Sequence, residues 1–149
     1  MKTRYPNDGP SKIERIFLAG TIDNGNSIDW QAKVIEDLKD YDVTIYNPRR
    51  LDWDSTWKQE IDNPQFNQQV NWELDHLERS DLIIMYFLPG SQSPISLLEL
   101  GIFYKKMVVC CPDGFWRKGN VDIVCQKYGV PQFATIQDLI DWLKPQLKV

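Results

Sequence analysis

Four short runs in this chain are apolar without alternation: RIFLAG (15–20), VTIYN (43–47), LIIMYFL (82–88) and MVVCC (107–111). Each is rich in branched or aromatic residues and bounded by polar sequence. That pattern suits strands covered on both faces, as in a parallel sheet. QFAT (132–135) is a weaker fifth strand. Between the runs the hydrophobic period becomes helical. IDWQAKVIEDLKDY repeats apolar residues at Ile28, Ala32, Ile35 and Leu38, and FNQQVNWELDHLERS does so at Phe66, Val70, Leu74 and Leu77. A helix opening at Pro94 carries Ile95, Leu98, Ile102 and Phe103 on one stripe. VDIVCQKYG and IQDLIDWLKPQL supply two more helical segments.

Strand–helix alternation five times over predicts an α/β protein with right-handed crossovers. The expected form is a flavodoxin-like three-layer sandwich around a five-stranded parallel sheet of order 2-1-3-4-5. Residues 1–13 read as a polar lead-in, and 14–149 as a single domain. In such sheets ligands bind beyond the carboxyl ends of the strands, near the switch point between strands 1 and 3. The segments that matter most are therefore 20–26, 47–57, 89–99 and 112–120.

Composition narrows the class. At 149 residues, with 42 % hydrophobic and 12 % aromatic residues, the chain has enough apolar surface for one real core. A formal charge of −4 argues against a nucleic-acid polymer as partner. Three cysteines, two of them adjacent (Cys110, Cys111), make no disulfide framework and suggest a reducing compartment. LIIMYFL is too short to span a bilayer, and the first fifteen residues lack the apolar core of a signal peptide. The expectation is a soluble cytoplasmic protein without a membrane partner. His76 is the single histidine, with no ligand cluster around it, so neither a metal nor another cofactor is expected. Cys110 and Cys111 point to opposite faces of a strand and are not a C-x-x-C redox pair.

The chemistry-bearing residues gather after the strands. Glu99 interrupts the apolar stripe of the Pro94 helix, and two readings stand. It closes a capping box with Ser96, or it is a semi-buried carboxylate at the ligand edge, acting as nucleophile or base. Ser93-Pro94 already has the form of an N-cap followed by proline, which would put Glu99 about a turn and a half into the helix. Glu73 leans toward the apolar side of the preceding helix as a second carboxylate, or is a solvated flank residue. Asp81, just before strand 3, is better suited to capping the preceding helix or binding backbone than to catalysis. Gly20 and Thr21 close strand 1, where a glycine permits close backbone approach and Thr21 offers a hydroxyl, though an ordinary turn fits as well. Neither a dinucleotide fingerprint nor a Walker A sequence is present. After strand 2, Asn47, Arg49, Arg50, Trp53 and Trp57 suit a planar base or a phosphate, or form a packed surface loop.

FLAG closing strand 1, WELDHLERSDLII entering strand 3, SPISLLELG opening the next helix and PDGFWRKGNVDIV after strand 4 occur in order. This set resembles the nucleoside 2-deoxyribosyltransferase superfamily, in its divergent deoxyribosyltransferase-like branch, over most of residues 15–125. The resemblance implies a flavodoxin-like fold and a homodimer or higher homo-oligomer whose subunits complete each other's sites. It also implies a nucleoside or nucleotide substrate and deoxyribosyl transfer between bases. By position, Glu99 matches the glutamate that attacks the anomeric carbon, and Glu73 matches an aspartate that assists proton transfer at the leaving base. Asn120 matches an asparagine donated by a neighbouring subunit to the sugar 5′-hydroxyl. Ser93 stands where many members have aspartate, and Phe17 where many have tyrosine. Some relatives that hydrolyse nucleoside 5′-monophosphates carry serine in this region. Ser91, Ser93 and Ser96, with Arg49 or Arg50, are thus candidates to bind a 5′-phosphate at a helix N-terminus, or they only cap and solubilise it.

Overall fold

The computed structural model describes residues 13–22, 27–50 and 56–149. Five strands, β1 (Arg15–Gly20), β2 (Thr44–Tyr46), β3 (Leu82–Tyr86), β4 (Met107–Cys110) and β5 (Gln132–Phe133), alternate with five helices. The helices are α1 (Trp30–Asp37), α2 (Pro64–Arg79), α3 (Pro94–Phe103), α4 (Lys118–Tyr128) and α5 (Ile136–Leu143). All pairings are parallel, and the order is β2-β1-β3-β4-β5, as the alternation predicts.

Alternate strand residues feed two cores. Phe17, Ala19, Ile83, Met85 and Val109 pack with Leu77, Leu100, Val121 and Cys125, so α2, α3 and α4 cover one face. Ile16, Leu18, Ile84, Val108 and Cys110 pack with Trp30, Val34, Leu38, Leu139, Ile140 and Leu143, which places α1 and α5 on the other. Cys110 and Cys111 fall in different cores, as strand alternation requires. No helix among the described residues is long and apolar enough to cross a membrane.

Local chemistry sets the boundaries. Asn63 accepts from the Phe66 amide at 3.0 Å and precedes Pro64, a first-turn proline, so α2 starts there. The Asp81 carboxylate accepts from the Glu14 and Arg15 amides at 3.1 and 2.9 Å, tying the start of β1 to that of β3. Of the two structural roles expected of it, this is backbone binding. β3 ends two residues earlier than its apolar run. The Phe87 amide still bonds the Cys110 carbonyl, but the Leu88 amide turns to the Thr21 hydroxyl. β2 and β5 are likewise shorter than their runs.

Two helix faces differ from the periodicity. In α1 the buried residues are Trp30, Gln31 and Val34, with Leu38 following, while Ile28 is exposed and Ile35 partly so. The larger indole of Trp30 directs that face inward, and its Nε1 donates to the Thr21 carbonyl at 3.0 Å. In α3 the stripe Ile95, Leu98 and Ile102 is 61 %, 61 % and 55 % exposed, and the buried side carries Ser96, Glu99 and Leu100. Glu99 sits at the boundary between the outward stripe and the inward face.

Candidate active site

Helix α3 begins in an unusual way. Ser93 occupies the N-cap position with Pro94 following, as the sequence suggests, but its φ of 45° is left-handed and its side chain makes no cap bond. Such a conformation costs a non-glycine residue roughly 1–2 kcal/mol. The hydroxyl turns instead to Thr21 Oγ1 at 2.7 Å and Ser91 Oγ at 3.0 Å. Thr21 Oγ1 also lies 3.0 Å from Ser91 Oγ, and Ser91 Oγ donates to the Leu88 carbonyl at 2.8 Å. These three buried hydroxyls form a closed ring joining the end of β1, the turn after β3 and the start of α3. With Ser93 as N-cap, Ser96 and Glu99 are not a capping box.

Ser96 and Glu99 lie one turn further in, both on the buried face. Glu99 is 8 % exposed. Burial first, and the nearby charge of Glu73 second, push its pKa up to about 8. Burial also raises the Glu73 carboxyl, partly opposed by a hydrogen bond from Gln69. The charge of Glu73 on the adjacent helix therefore adds to burial in disfavouring the ionised form of Glu99. Glu73 is half-buried, and its Oε1 is taken by the Gln69 amide.

The Gln69 amide is buried next to this pair. Its Nε2 donates to Glu73 Oε1 at 3.0 Å and to the Pro48 carbonyl at 3.3 Å, and its Oε1 accepts from Arg50 Nη1 at 3.3 Å. Asn47, Arg50, Gln68, Gln69 and Trp72 line a cavity of about 260 Å³. The Arg50 guanidinium lies 4.9 Å from the Trp57 ring centroid. Trp72 stacks on His76 at 4.1 Å, and Tyr46 meets His76 edge-on, making an aromatic wall. Arg49 points elsewhere. It donates to the Ser27 and Ile28 carbonyls and approaches Asp29, so it holds the entry to α1. Trp53 lies outside the described residues.

Gly20 has a φ of 128°, and a Cβ there would stand 2.2 Å from the Tyr86 carbonyl oxygen. Its lack of a side chain is thus demanded by the adjacent strand. Asn120 is exposed on α4, away from the buried face that carries Val121 and Cys125. The structure brings Thr21 together with Ser93, and Glu99 with Glu73; Asn47 stands with Arg50 rather than Arg49 at the cavity. Gln69 is not singled out by the sequence, and Thr21, Ser91 and Ser93, each named there, are not linked to one another by it. The i, i+4 spacing of Gln69 and Glu73 is the signal for the first, since such residues face each other on a helix.

A family model described as nucleoside 2-deoxyribosyltransferase like matches residues 13–115. That span holds both carboxylates, the hydroxyl ring and the cavity, and ends before Asn120. No curated protein matches the chain. Among solved structures the chain is similar to a conserved protein from Enterococcus faecalis V583, with a TM-score of 0.61 and 15 % identity. The likeness covers 91 % of this chain and 99 % of that one, and at this identity it concerns the fold.

Proposed function

The chain belongs to the nucleoside 2-deoxyribosyltransferase-like family, and from that premise we propose that it cleaves the N-glycosidic bond of a 2′-deoxynucleoside through a glycosyl ester on Glu99. The sugar then passes to another base. The observation that carries this reading is a carboxylate pair, buried Glu99 on α3 and half-buried Glu73 on α2, beyond the strand ends.

In the first step a Glu99 oxygen bonds the anomeric carbon as the bond to the base nitrogen breaks, through an oxocarbenium-like transition state. The departing base is a poor anion, and Glu73 gives it a proton, which contributes about 10²–10⁴-fold. In the second step a nitrogen of the incoming base attacks the anomeric carbon, Glu73 takes its proton, and the Glu99 carboxylate is released. Only the microstate with Glu99 ionised and Glu73 protonated starts the reaction, so the coupling between them sets its pH range. Asn47 and the cavity walls of Arg50 and Trp72 are suited to a planar base. Gly20, Thr21, Ser93 and Ser96 are assigned to the sugar side. No cofactor or metal enters these steps.

A nucleoside 5′-monophosphate N-glycosidase is the second reading, favoured by the start of α3. Because the Ser93 hydroxyl does not cap, the first amides of α3 keep their positive end for an anion. The proposed assembly is a homodimer or higher homo-oligomer, with Asn120 offered to a neighbour's sugar. The exposed stripe Ile95, Leu98, Ile102 on α3 and exposed Ile123 and Tyr128 on α4 support it. Three free buried cysteines fit the cytoplasm.

Incubation with deoxynucleosides and a foreign base, read by chromatography, tests the proposal. A new nucleoside is the expected product. Free base alone, from a 5′-monophosphate, selects the second reading. Tight binding without product across a nucleoside and nucleotide panel would mark a binding module and overturn both.

A further inference from the structure

The orientation of the Gln69 amide is fixed by its neighbours' chemistry. Arginine has only donors, so the atom facing Arg50 Nη1 at 3.3 Å must be the amide oxygen. The opposite end then meets two acceptors, the Pro48 carbonyl and Glu73 Oε1, as an NH₂ group should. A flipped amide would set nitrogen against guanidinium and oxygen against two oxygens, losing all three contacts at once. Gln69 is 8 % exposed, so water does not replace them cheaply.

This has a stereochemical consequence for Glu73. Its Oε1 accepts from Gln69 in either protonation state, so a proton on Glu73 resides on Oε2. We propose that Gln69, held by Arg50, is a positioning residue that fixes the acidic proton on Oε2 of Glu73 and turns that oxygen toward the leaving base. Arg50 does not touch the carboxylate in this arrangement; it acts through the amide. Among the described residues, the charged or titratable groups around Glu73 are Glu99 from α3, Arg50 through Gln69, and His76 one turn along α2. The proposal rests on the reading of Glu73 as the proton donor to the base.

The test compares two substrates. One is a natural deoxynucleoside, whose base needs a proton to leave. The other is a 4-nitrophenyl deoxyriboside, whose phenolate leaves without one. Gln69→Leu is expected to lower kcat on the nucleoside by about tenfold or more, part of the ~10²–10⁴ that a proton donor contributes. KM and the rate on the nitrophenyl substrate are expected to stay within about twofold. Arg50→Met leaves Gln69 in place but removes a cavity wall, so KM is expected to rise on both substrates while kcat falls selectively on the nucleoside, with Arg50→Lys restoring most of that kcat. These two variants decide the matter if Gln69→Leu does not fold. Equal losses of kcat on both substrates, or no loss of kcat on either, would overturn the proposal. Carboxyl ¹³C titration of Glu73 in the free protein is a readout apart from activity. Removing the Gln69 donor is expected to raise the Glu73 pKa further, and an unchanged titration contradicts the link. A wild-type protein that cleaves neither substrate, with the titration shift intact, refutes the proposed function while leaving the Gln69–Glu73 contact standing.

Discussion

Replacing Glu99 with glutamine is expected to stabilise the protein, and to do so only toward alkaline pH. In the unfolded chain this carboxyl titrates near 4.5, whereas in the fold it titrates at about 8. Between those values the folded protein holds a proton that the unfolded chain has released. Stability therefore falls as pH rises, by about 1.4 kcal/mol per unit for this group. The fall ends once pH passes about 8, and its full extent is about 5 kcal/mol. Glutamine keeps the shape and does not titrate, so the variant lacks this slope. Urea unfolding from pH 5 to 9, followed by tryptophan fluorescence, measures both proteins. The two are expected to differ least at pH 5 and to diverge until the variant leads by about 5 kcal/mol at pH 9. Adding Glu73→Gln to both proteins is expected to shrink the gap, since its charge is the second cause of the shift. A gap that stays constant across the range would mean that Glu99 ionises as a solvated carboxylate does, and the reasoning would fail.

Gly20→Ala is expected to cost more than about 3 kcal/mol, because the new methyl would meet the Tyr86 backbone at 2.2 to 2.9 Å; a thermal midpoint within a few degrees of wild type contradicts this. Asp81→Ala removes the acceptor for two amides and is expected to cost about 1–3 kcal/mol, measured by denaturant unfolding. Leu98→Glu alters an exposed residue and is expected to leave the fold intact while driving the proposed homo-oligomer to monomers in light scattering. An unchanged mass at every concentration would remove α3 from the interface.

The strand runs and their order are legible because parallel strands are buried on both faces and need continuous apolar sequence. Their ends are not, since β3 stops where the Leu88 amide finds Thr21, a partner 67 residues away. Helix faces are only half legible. An apolar stripe shows that a surface avoids water without showing what covers it, and in α3 that stripe points outward while Glu99 turns in. The Glu99 anomaly itself is visible as a charge among apolar neighbours. Ser93 has the sequence form of a cap, but its left-handed backbone sends the hydroxyl to β1 instead. Arg49 and Arg50 are adjacent in sequence and equivalent in chemistry. Only the path of the chain after β2 sends one to the α1 entry and the other to the cavity. Gln69 is the most hidden of the group, because an amide gains its role from the charges on either side of it.

The measurement closest to the central claim is mass spectrometry of the protein quenched during turnover and digested by protease at low pH, where a glycosyl ester survives. The account predicts a deoxyribosyl mass increment on the peptide containing Glu99, lost in Glu99→Gln and discharged by added base. An increment located on Glu73, or turnover by Glu99→Ala at the wild-type rate, would contradict it.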